Sequence, residues 1–315
     1  MQHRRLIGQM LVAVTTLALM TAVFLVGVWA VCYVVLAALD TDYAAQTAVV
    51  VTVVTIGSIG YLEYRHVDTI ERIAGGEPVD PETVPGLYRT TTKVAAQLDV
   101  PVPTIVISDR RAPEAMAIGF RPRNVHLVLS SGTLEALEDP AELEAVIAHE
   151  LSHVKNKDAM VMTVISLPLV LSRGLGMRLD RMHESWDDWA NFFTFPLRLL
   201  SLGVWFVSKT TIAGFSRARE LAADRAAVEV LGSPAPLATA LTRLDREITR
   251  TPDRDLREVT AISSLSILPL EPEDPEPVML GPEGEQVPAY WGLEKRMRRL
   301  FRTHPRTANR LQELK

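Results

Sequence analysis

The sequence predicts a mainly α-helical integral membrane protein attached to a part that combines helices with a small sheet. Two long uncharged runs, residues 6–39 and 43–62, lie near the start of the chain. Two short stretches rich in β-branched residues, 104–108 and 125–130, are typical of strands. Apolar stretches then return within residues 159–215. This alternation predicts membrane helices at two places and a folded polar part between and after them.

Residues 1–66 are predicted to form a transmembrane hairpin. The first uncharged run is far longer than the apolar core of a cleaved signal peptide, and the second is just long enough to span a bilayer. The short connection carries Asp40 and Asp42 and no lysine or arginine. Basic residues flank the pair on both sides: Arg4, Arg5, Arg65 and Arg72. The positive-inside rule therefore predicts that both outer ends face the cytoplasm.

Residues 67–158 are predicted to form a linker, a small sheet and a helix that carries a metal-binding motif. Glycines and prolines mark the linker, and residues 86–98 then have a helical pattern. The strand at 125–130 has two interpretations. It is either an exposed edge strand that could pair with a peptide substrate, or an ordinary strand inside the sheet.

The helix predicted over 142–154 contains the motif His-Glu-x-x-His, with His149, Glu150 and His153. A spacing of four residues puts both imidazoles on one helical face, where they can bind one metal ion. The helix is otherwise largely apolar, so the histidines are expected to be buried and to need partners. Glu150 is placed to take a proton from a metal-bound water. The alternative is a pair of histidines hydrogen-bonded to carboxylates without a metal.

Charge and cysteine content narrow the possible ligands and partners. The net charge of −5 argues against a nucleic-acid partner. The single cysteine, Cys32, lies in an apolar run, which excludes an intramolecular disulfide and a cysteine-rich zinc site. A zinc ion here must therefore be held by histidines and carboxylates. His126 and His183 suggest no functional role.

Residues 159–215 contain two apolar helices that either span the membrane or lie at its surface. The run 159–172 is uncharged but short for a span, and 191–215 is interrupted by Arg198 and Lys209. If the motifs before and after this region meet on one side, the chain crosses the membrane zero times or twice between them.

A second motif follows in residues 216–315, where Glu220 and Asp224 lie four residues apart on an alanine-rich helix. Glu220 is predicted to be the third zinc ligand, because two histidines, one glutamate and a water form a known catalytic zinc site. Asp224 is predicted to accept the free N–H of a ligand histidine. The alternative is a solvated helix whose acids pair with neighbouring arginines: Arg217, Arg219 and Arg225.

These motifs, their order and the apolar segment between them resemble the HtpX-type membrane zinc metallopeptidases, relatives of the CAAX prenyl endopeptidases among the gluzincins. Further matching features are Asn156 and, near the end of the chain, Thr303-His304-Pro305 and Arg310. The resemblance implies a zincin-type α+β catalytic domain, one zinc ion per chain, and Glu150 as the catalytic base. It also implies that His304 and Arg310 lie near the site, donating to the oxyanion or bracing Glu220 or Asp224.

The implied activity is endoproteolysis of membrane or misfolded proteins in quality control, by a multi-pass protein of the cell membrane whose site faces the cytoplasm. A prenyl-protein endopeptidase is the alternative with the same chemistry. A non-catalytic membrane scaffold with a structural metal is disfavoured, since a structural site usually has a fourth protein ligand.

The chain departs from the family pattern before the expected edge strand. The family usually has Asn-Ala-Phe-Ala there, whereas this chain has Glu114 in place of the amide. The acidic, proline-rich segment 271–288 is interpreted as either a disordered loop or a lid. The basic residues just before His304 are expected to form a solvated face, in possible contact with anionic headgroups.

Overall fold

The computed structural model describes residues 2–64, 76–119, 124–183, 188–250, 296–297 and 299–315. Arg65, Arg72 and the acidic segment 271–288 therefore lie outside the described residues. The chain divides into two compact units. The helical unit comprises Met1–Thr69 and Met162–Phe215, and the mixed unit comprises Ile70–Val161 and Ser216–Lys315.

The helical unit starts with two helices joined by a tight turn. Helix α1 spans Gln2–Ala38 and α2 spans Ala44–Tyr64. Asp40 and Tyr43 in the connection have left-handed backbone angles, with φ of 53° and 57°. Many large apolar side chains of α1 and α2 are exposed, as expected for helices that contact lipid.

The same unit contains α7, Leu167–His183, and the first part of α8, Asp188–Leu231. The short helix α6, Asp158–Ile165, precedes α7 at a bend of 43°. Buried apolar residues from α1, α2, α7 and α8 form one cluster: Phe24, Val28, Ile59, Leu171, Leu175, Leu179 and Val204. Burial of these side chains holds the four helices together.

Two of the described helices have segments long and apolar enough to cross a membrane, Ile7–Ala38 and Thr194–Leu231. The bent pair α6–α7 would be a third if it counts as one span. Within α2, the apolar stretch Ala44–Ile59 is shorter than a usual span. The two helices predicted for the hairpin are present and pack against each other; of the two, α1 alone has an apolar stretch long enough to cross a membrane.

The mixed unit contains a four-stranded sheet with the order β1-β2-β4-β3. Its strands are β1, Glu77–Pro78; β2, Thr104–Ser108; β3, Ala115–Ile118; and β4, His126–Ser130. Strand β2 pairs in parallel with β4, and β3 pairs antiparallel with β4. Gly119, with φ of 151°, starts the β3–β4 connection, where a side chain would collide with the Asn124 carbonyl.

Helices complete the mixed unit: α3, Pro85–Leu98; α4, Ser131–Ala136; α5, Pro140–Lys155; α9, Ala235–Arg250; and α10, Thr307–Glu313. Helix α5 is central, because it packs against α3, α9 and β3. Asp139 caps α5 by accepting a hydrogen bond from the Ala141 N–H, and Pro140 occupies the first turn. The fully buried Val146, Ile147 and Leu151 then fix its rotation in the core.

The structure corrects two predictions about elements. Only two strands were predicted; β1 was missed because it has two residues, and β3 because it is a four-residue, alanine-containing strand. The strand at 125–130, left open as edge or interior, is β4 and lies between β2 and β3, so β3 is the edge strand.

The boundary predicted at residue 215 is not a break between helices. One 44-residue helix, α8, runs through it and carries both the apolar stretch and the motif around Glu220. The change from apolar to charged residues was interpreted as an element boundary. A change of composition does not interrupt backbone hydrogen bonding when no proline or cap residue accompanies it.

Candidate metal centre

Helix α5 brings the two histidines of the motif together. Nε2 of His149 lies 3.3 Å from Nε2 of His153, and the two rings meet edge to face at 88°. His149 is completely buried and His153 is partly buried. Because the residues are four apart on one helix, both Nε2 atoms point to the same spot.

Glu220 on α8 reaches the same spot. Its Oε2 is 3.4 Å from His149 Nε2, and its Oε1 is 3.7 Å from His153 Nε2. A tetrahedral zinc ion with bonds of about 2.0–2.1 Å holds its ligand atoms about 3.3 Å apart. The three side chains therefore have the spacing that a tetrahedral ion needs, and their ligand atoms all lie within 4.8 Å of one another.

Two oxygen atoms beside this cluster are buried and have no hydrogen-bond partner within the described residues. They are Oε2 of Glu220 and Oε1 of Glu150. Buried polar atoms are normally satisfied, so these two indicate a missing partner such as a cation or a water. The residues present thus fit a divalent metal ion.

Glu150 lies beside the cluster on α5 and is held by the edge strand. The Ala117 N–H of β3 donates to Glu150 Oε2 over 3.1 Å. Burial raises the pKa of the Glu150 carboxyl to about 8, although His149 and the Ala117 N–H oppose the shift. A carboxyl group with a pKa near neutrality can both accept and return a proton.

His149 is supported from behind by an aspartate and an arginine. Its Nδ1 lies 2.9 Å from Asp224 Oδ1. Arg310 donates to both oxygens of Asp224, over 2.8 Å from Nε and 2.5 Å from Nη2. Burial raises the pKa of Asp224, but Arg310 outweighs it and holds the pKa at about 2. Asp224 and Arg310, both predicted to lie near the site, are thus brought together behind His149.

His153 has a matching support that the sequence did not reveal. Its Nδ1 lies 2.6 Å from Asp158 Oδ2, five residues further along the chain. Helix α5 ends between them, and Lys157, with φ of 55°, turns the chain back so that Asp158 faces the helix it has just left. Arg219 Nε is 3.7 Å from the same Asp158 oxygen, and Arg219 Nη2 donates to Glu220 Oε1 over 2.9 Å.

The protonation states of the ligand side chains differ. Burial lowers the pKa of His149, but the carboxylates of Asp224 and Glu220 outweigh it and raise the pKa to about 9. Burial lowers the pKa of His153, and Asp158 offsets this in part. Burial raises the pKa of Glu220, but His304 and His149 hold it well below its usual range. A cation that binds His149 therefore displaces a proton.

His304 also lies at the cluster. It is buried, and its Nδ1 is 3.5 Å from Glu220 Oε2. The position agrees with the expectation that His304 braces Glu220. Two other residues considered in the sequence make contacts or lie in elements outside the cluster: His126 begins β4, and Glu114 pairs with Arg110 over 3.0 Å. The side chain of His183 is outside the described residues.

The sequence left open the alternative that Arg217, Arg219 and Arg225 pair with the acids of the second motif. In the structure, one of the three arginines does so. Arg219 hydrogen-bonds to Glu220, whereas Arg217 donates to the Arg302 carbonyl and Arg225 to Glu313. Within the described residues, four buried carboxylates surround the histidines, against two buried guanidinium groups. The carboxylates are Glu150, Asp158, Glu220 and Asp224, and the guanidinium groups are those of Arg219 and Arg310. If a cation binds, so that the histidines are neutral and all four carboxylates are ionised, two negative charges remain, which a divalent ion would balance.

Comparison with known proteins agrees with the site. The family model described as peptidase family M48 matches residues 81–315. The chain belongs to peptidase family M48. Enzymes of this family are zinc-dependent metallopeptidases, so the chain is a metalloprotease.

Several curated members of the M48 family are similar to the chain. Protease HtpX homolog 1 of Streptomyces coelicolor is 36% identical over 243 residues, which cover 76% of this chain and 73% of that protein. Protease HtpX homolog of Moorella thermoacetica is 36% identical over 206 residues, covering 62% and 66%. The crystal structure of S. mikatae Ste24p matches at 16% identity with a TM-score of 0.46, covering 95% of this chain and 62% of that one. The similarity to the HtpX homologues shows that this member of the M48 family is HtpX-like.

Proposed function

We propose that this chain is a membrane-anchored zinc endopeptidase whose ion is held by His149, His153 and Glu220 and whose catalytic base is Glu150. The observation that carries the proposal is the convergence of the three side chains: one ligand atom from each lies within 4.8 Å of the other two, and the two Nε2 atoms are 3.3 Å apart. A zinc ion bound there polarises a water molecule and the scissile carbonyl.

The side chains of the protein perform the remaining steps. Oε1 of Glu150, which has no hydrogen-bond partner among the described residues, accepts the proton of the attacking water and passes it to the leaving amine. The Ala117 N–H holds the other oxygen, so the free oxygen points away from β3. His304 braces the Glu220 carboxylate.

The edge strand β3 is the proposed docking position for the substrate backbone. It lies at one end of the sheet, and the described residues provide no strand on its outer side. A peptide that pairs with β3 is brought next to Glu150, because Ala117 of this strand contacts the base. Backbone pairing accepts many sequences, which suits an enzyme that degrades membrane or misfolded proteins.

The test compares the wild type with Glu150→Gln in the purified full-length protein. The variant removes the base and keeps the three ligands, so we expect one zinc per chain and loss of casein cleavage by about 10²-fold or more. His149→Ala and Glu220→Ala are expected to lose both zinc and activity.

Loss of zinc in Glu150→Gln would make Glu150 a ligand, and full activity in Glu220→Ala would remove Glu220 from the site. Cleavage of a prenylated peptide but not of casein would favour the prenyl-protein endopeptidase.

We also propose that the site faces the cytoplasm and that the Asp40–Asp42 turn lies on the other side of the cell membrane. The arginines that flank α1 and α2 support this orientation. The single cysteine makes the test simple: in a Cys32→Ser background, Asp42→Cys should react with an impermeant maleimide on intact cells. Lys315→Cys should react only after the cells are permeabilised, and the reverse pattern would invert the topology.

A further inference from the structure

Arg219 is a buried arginine to which the proposed reaction assigns no role. It lies on α8 immediately before the ligand Glu220, and 6% of its surface is exposed. Burying a guanidinium group costs several kcal/mol unless carboxylates surround it. Its ionic partners among the described residues are Glu220 and Asp158, and both belong to the metal centre.

The contact with Glu220 distinguishes the two oxygens of the ligand. Arg219 Nη2 donates to Oε1 over 2.9 Å, whereas Oε2 has no hydrogen-bond partner within the described residues and faces His149 Nε2 at 3.4 Å. An oxygen that already accepts a charged hydrogen bond is a weaker metal ligand than a free one. Arg219 therefore favours Oε2, which also lies 3.5 Å from His304 Nδ1, as the oxygen that would bind the ion.

The contact with Asp158 acts on a second ligand. Asp158 Oδ2 accepts from His153 Nδ1 over 2.6 Å, and Arg219 Nε lies 3.7 Å from that same oxygen. The guanidinium group attracts the aspartate at ion-pair distance, without a hydrogen bond from Nε, and the aspartate contacts the ring of His153 at hydrogen-bond distance. Arg310, Asp224 and His149 form an equivalent chain on the other side of the site.

We propose that Arg219 is a positioning residue that orients two of the three metal ligands at once, Glu220 directly and His153 through Asp158. The proposal rests on the proposed ligand set. Partners that hold metal ligands typically change metal affinity 10- to 100-fold when they are replaced.

The experiment replaces zinc with Co²⁺ in the full-length protein, because the visible absorption of Co²⁺ reports the number and arrangement of its ligands. Arg219→Gln is compared with Arg225→Gln, an identical change on the same helix whose arginine pairs with Glu313 near the surface. We expect Arg219→Gln to bind zinc about 10- to 100-fold more weakly in a chelator competition and to alter the Co²⁺ spectrum. Arg225→Gln should match the wild type in both.

Two further variants keep the test decisive. Arg219→Lys should recover part of the affinity, because a lysine keeps the charge but cannot contact both carboxylates with a planar fork. Asp158→Asn should weaken binding, and the Arg219→Gln/Asp158→Asn double variant should lose less than the product of the two separate effects, since both act through one chain of contacts. If Arg219→Gln does not fold, Asp158→Asn against Asp245→Asn provides the comparison.

Three outcomes would overturn the inference. The first is that Arg219→Gln and Arg225→Gln have equal Co²⁺ spectra and equal zinc affinities. The second is that Arg219→Gln lowers the unfolding temperature of the metal-free protein but leaves the Co²⁺ spectrum unchanged, and the third is that the effects on affinity multiply in the double variant. The proposed function fails separately, if the wild type binds no Co²⁺ or if Glu220→Ala retains the wild-type spectrum.

Discussion

At the scale of single residues, Arg310 and Asp224 form an ion pair that is almost completely buried beside the site. Arg310 has no exposed surface and donates twice to one carboxylate, so each partner satisfies a charge that water cannot reach. Such a pair adds modest stability as a whole, but removing one partner leaves the other buried and unpaired. The pair therefore links the support of His149 to the stability of the fold.

Asp224→Ala is accordingly expected to destabilise the metal-free protein by about 3–5 kcal/mol. Thermal unfolding of the full-length protein in detergent measures the effect. Asp245→Ala is the matched control, because Asp245 is only half-buried and accepts one neutral hydrogen bond from Thr307, so its loss should cost less than about 1.5 kcal/mol. Equal unfolding temperatures for the two variants would contradict the buried-pair argument.

The sequence predicts those parts of the site that depend on local spacing. His149, Glu150 and His153 share one helix, and Glu220 and Asp224 are one turn apart on another, so helical geometry predicts how each set is arranged. Asp158 was missed, and Arg219 was considered only as a neighbour that pairs with the acids of its own helix, because the contact between them depends on the turn at Lys157 and on the packing of α8 against that turn. Neither feature has a period or a motif in the sequence.

At the scale of elements, the edge strand β3 makes two kinds of contact, one with the sheet and one with the site. Its inner side pairs with β4, from Ala115 opposite Leu129 to Ile118 opposite His126. Between these, the Ala117 N–H leaves the sheet and donates to Glu150. The start of the strand is fixed in turn by Ser130, whose Oγ accepts from the Glu114 N–H over 2.8 Å and from the Thr133 N–H over 3.1 Å.

Ala117→Pro removes the one N–H that β3 directs at the catalytic base. Since this N–H is not used between the strands, we expect the sheet to form, zinc to bind, and kcat/KM to fall about 10- to 100-fold because the carboxylate is no longer held in place. Peptide hydrolysis and metal content are measured together. Ala117→Ser keeps the N–H and should retain activity; a proline variant as active as the serine variant would show that the contact is dispensable.

Helices were easier to predict from the sequence than strands. Helix α5 was expected over 142–154 and spans Pro140–Lys155, because its apolar residues, cap and first-turn proline agree with each other. Strand β3 lacks such agreement: four residues are too few to establish a two-residue period. The continuity of α8 through residue 215 was missed for the opposite reason, since a marked change of composition concealed an unbroken helix.

At the scale of the whole molecule, the metal centre joins parts of the mixed unit that are far apart in the chain. Helix α5, the end of α8, and the segment from His304 to Arg310 all contribute charged or polar groups to one buried cluster. In the protein without a metal, these carboxylates repel one another, and burial raises the pKa of Glu150. Metal binding is therefore expected to stabilise the mixed unit.

The unfolding midpoint of the wild type should rise with free zinc, and at 100 times the dissociation constant the gain is about 2.7 kcal/mol. Glu220→Ala has lost a ligand, so its midpoint should stay constant over the same range. The measurement is a thermal melt at buffered zinc concentrations, after removal of metal with a chelator. A constant midpoint in the wild type would mean that the unit does not bind the ion in its folded form.

The two negative charges that remain in the buried cluster when a cation binds also influence which metal ions can replace zinc. Ions such as Co²⁺ and Mn²⁺ carry the same charge and restore neutrality, so exchange among them should be governed by ligand geometry and by concentration. Monovalent copper would leave one carboxylate uncompensated in a region from which water is excluded. We therefore expect the site to discriminate against monovalent copper, both by charge and because the three proposed ligands supply nitrogen and oxygen atoms.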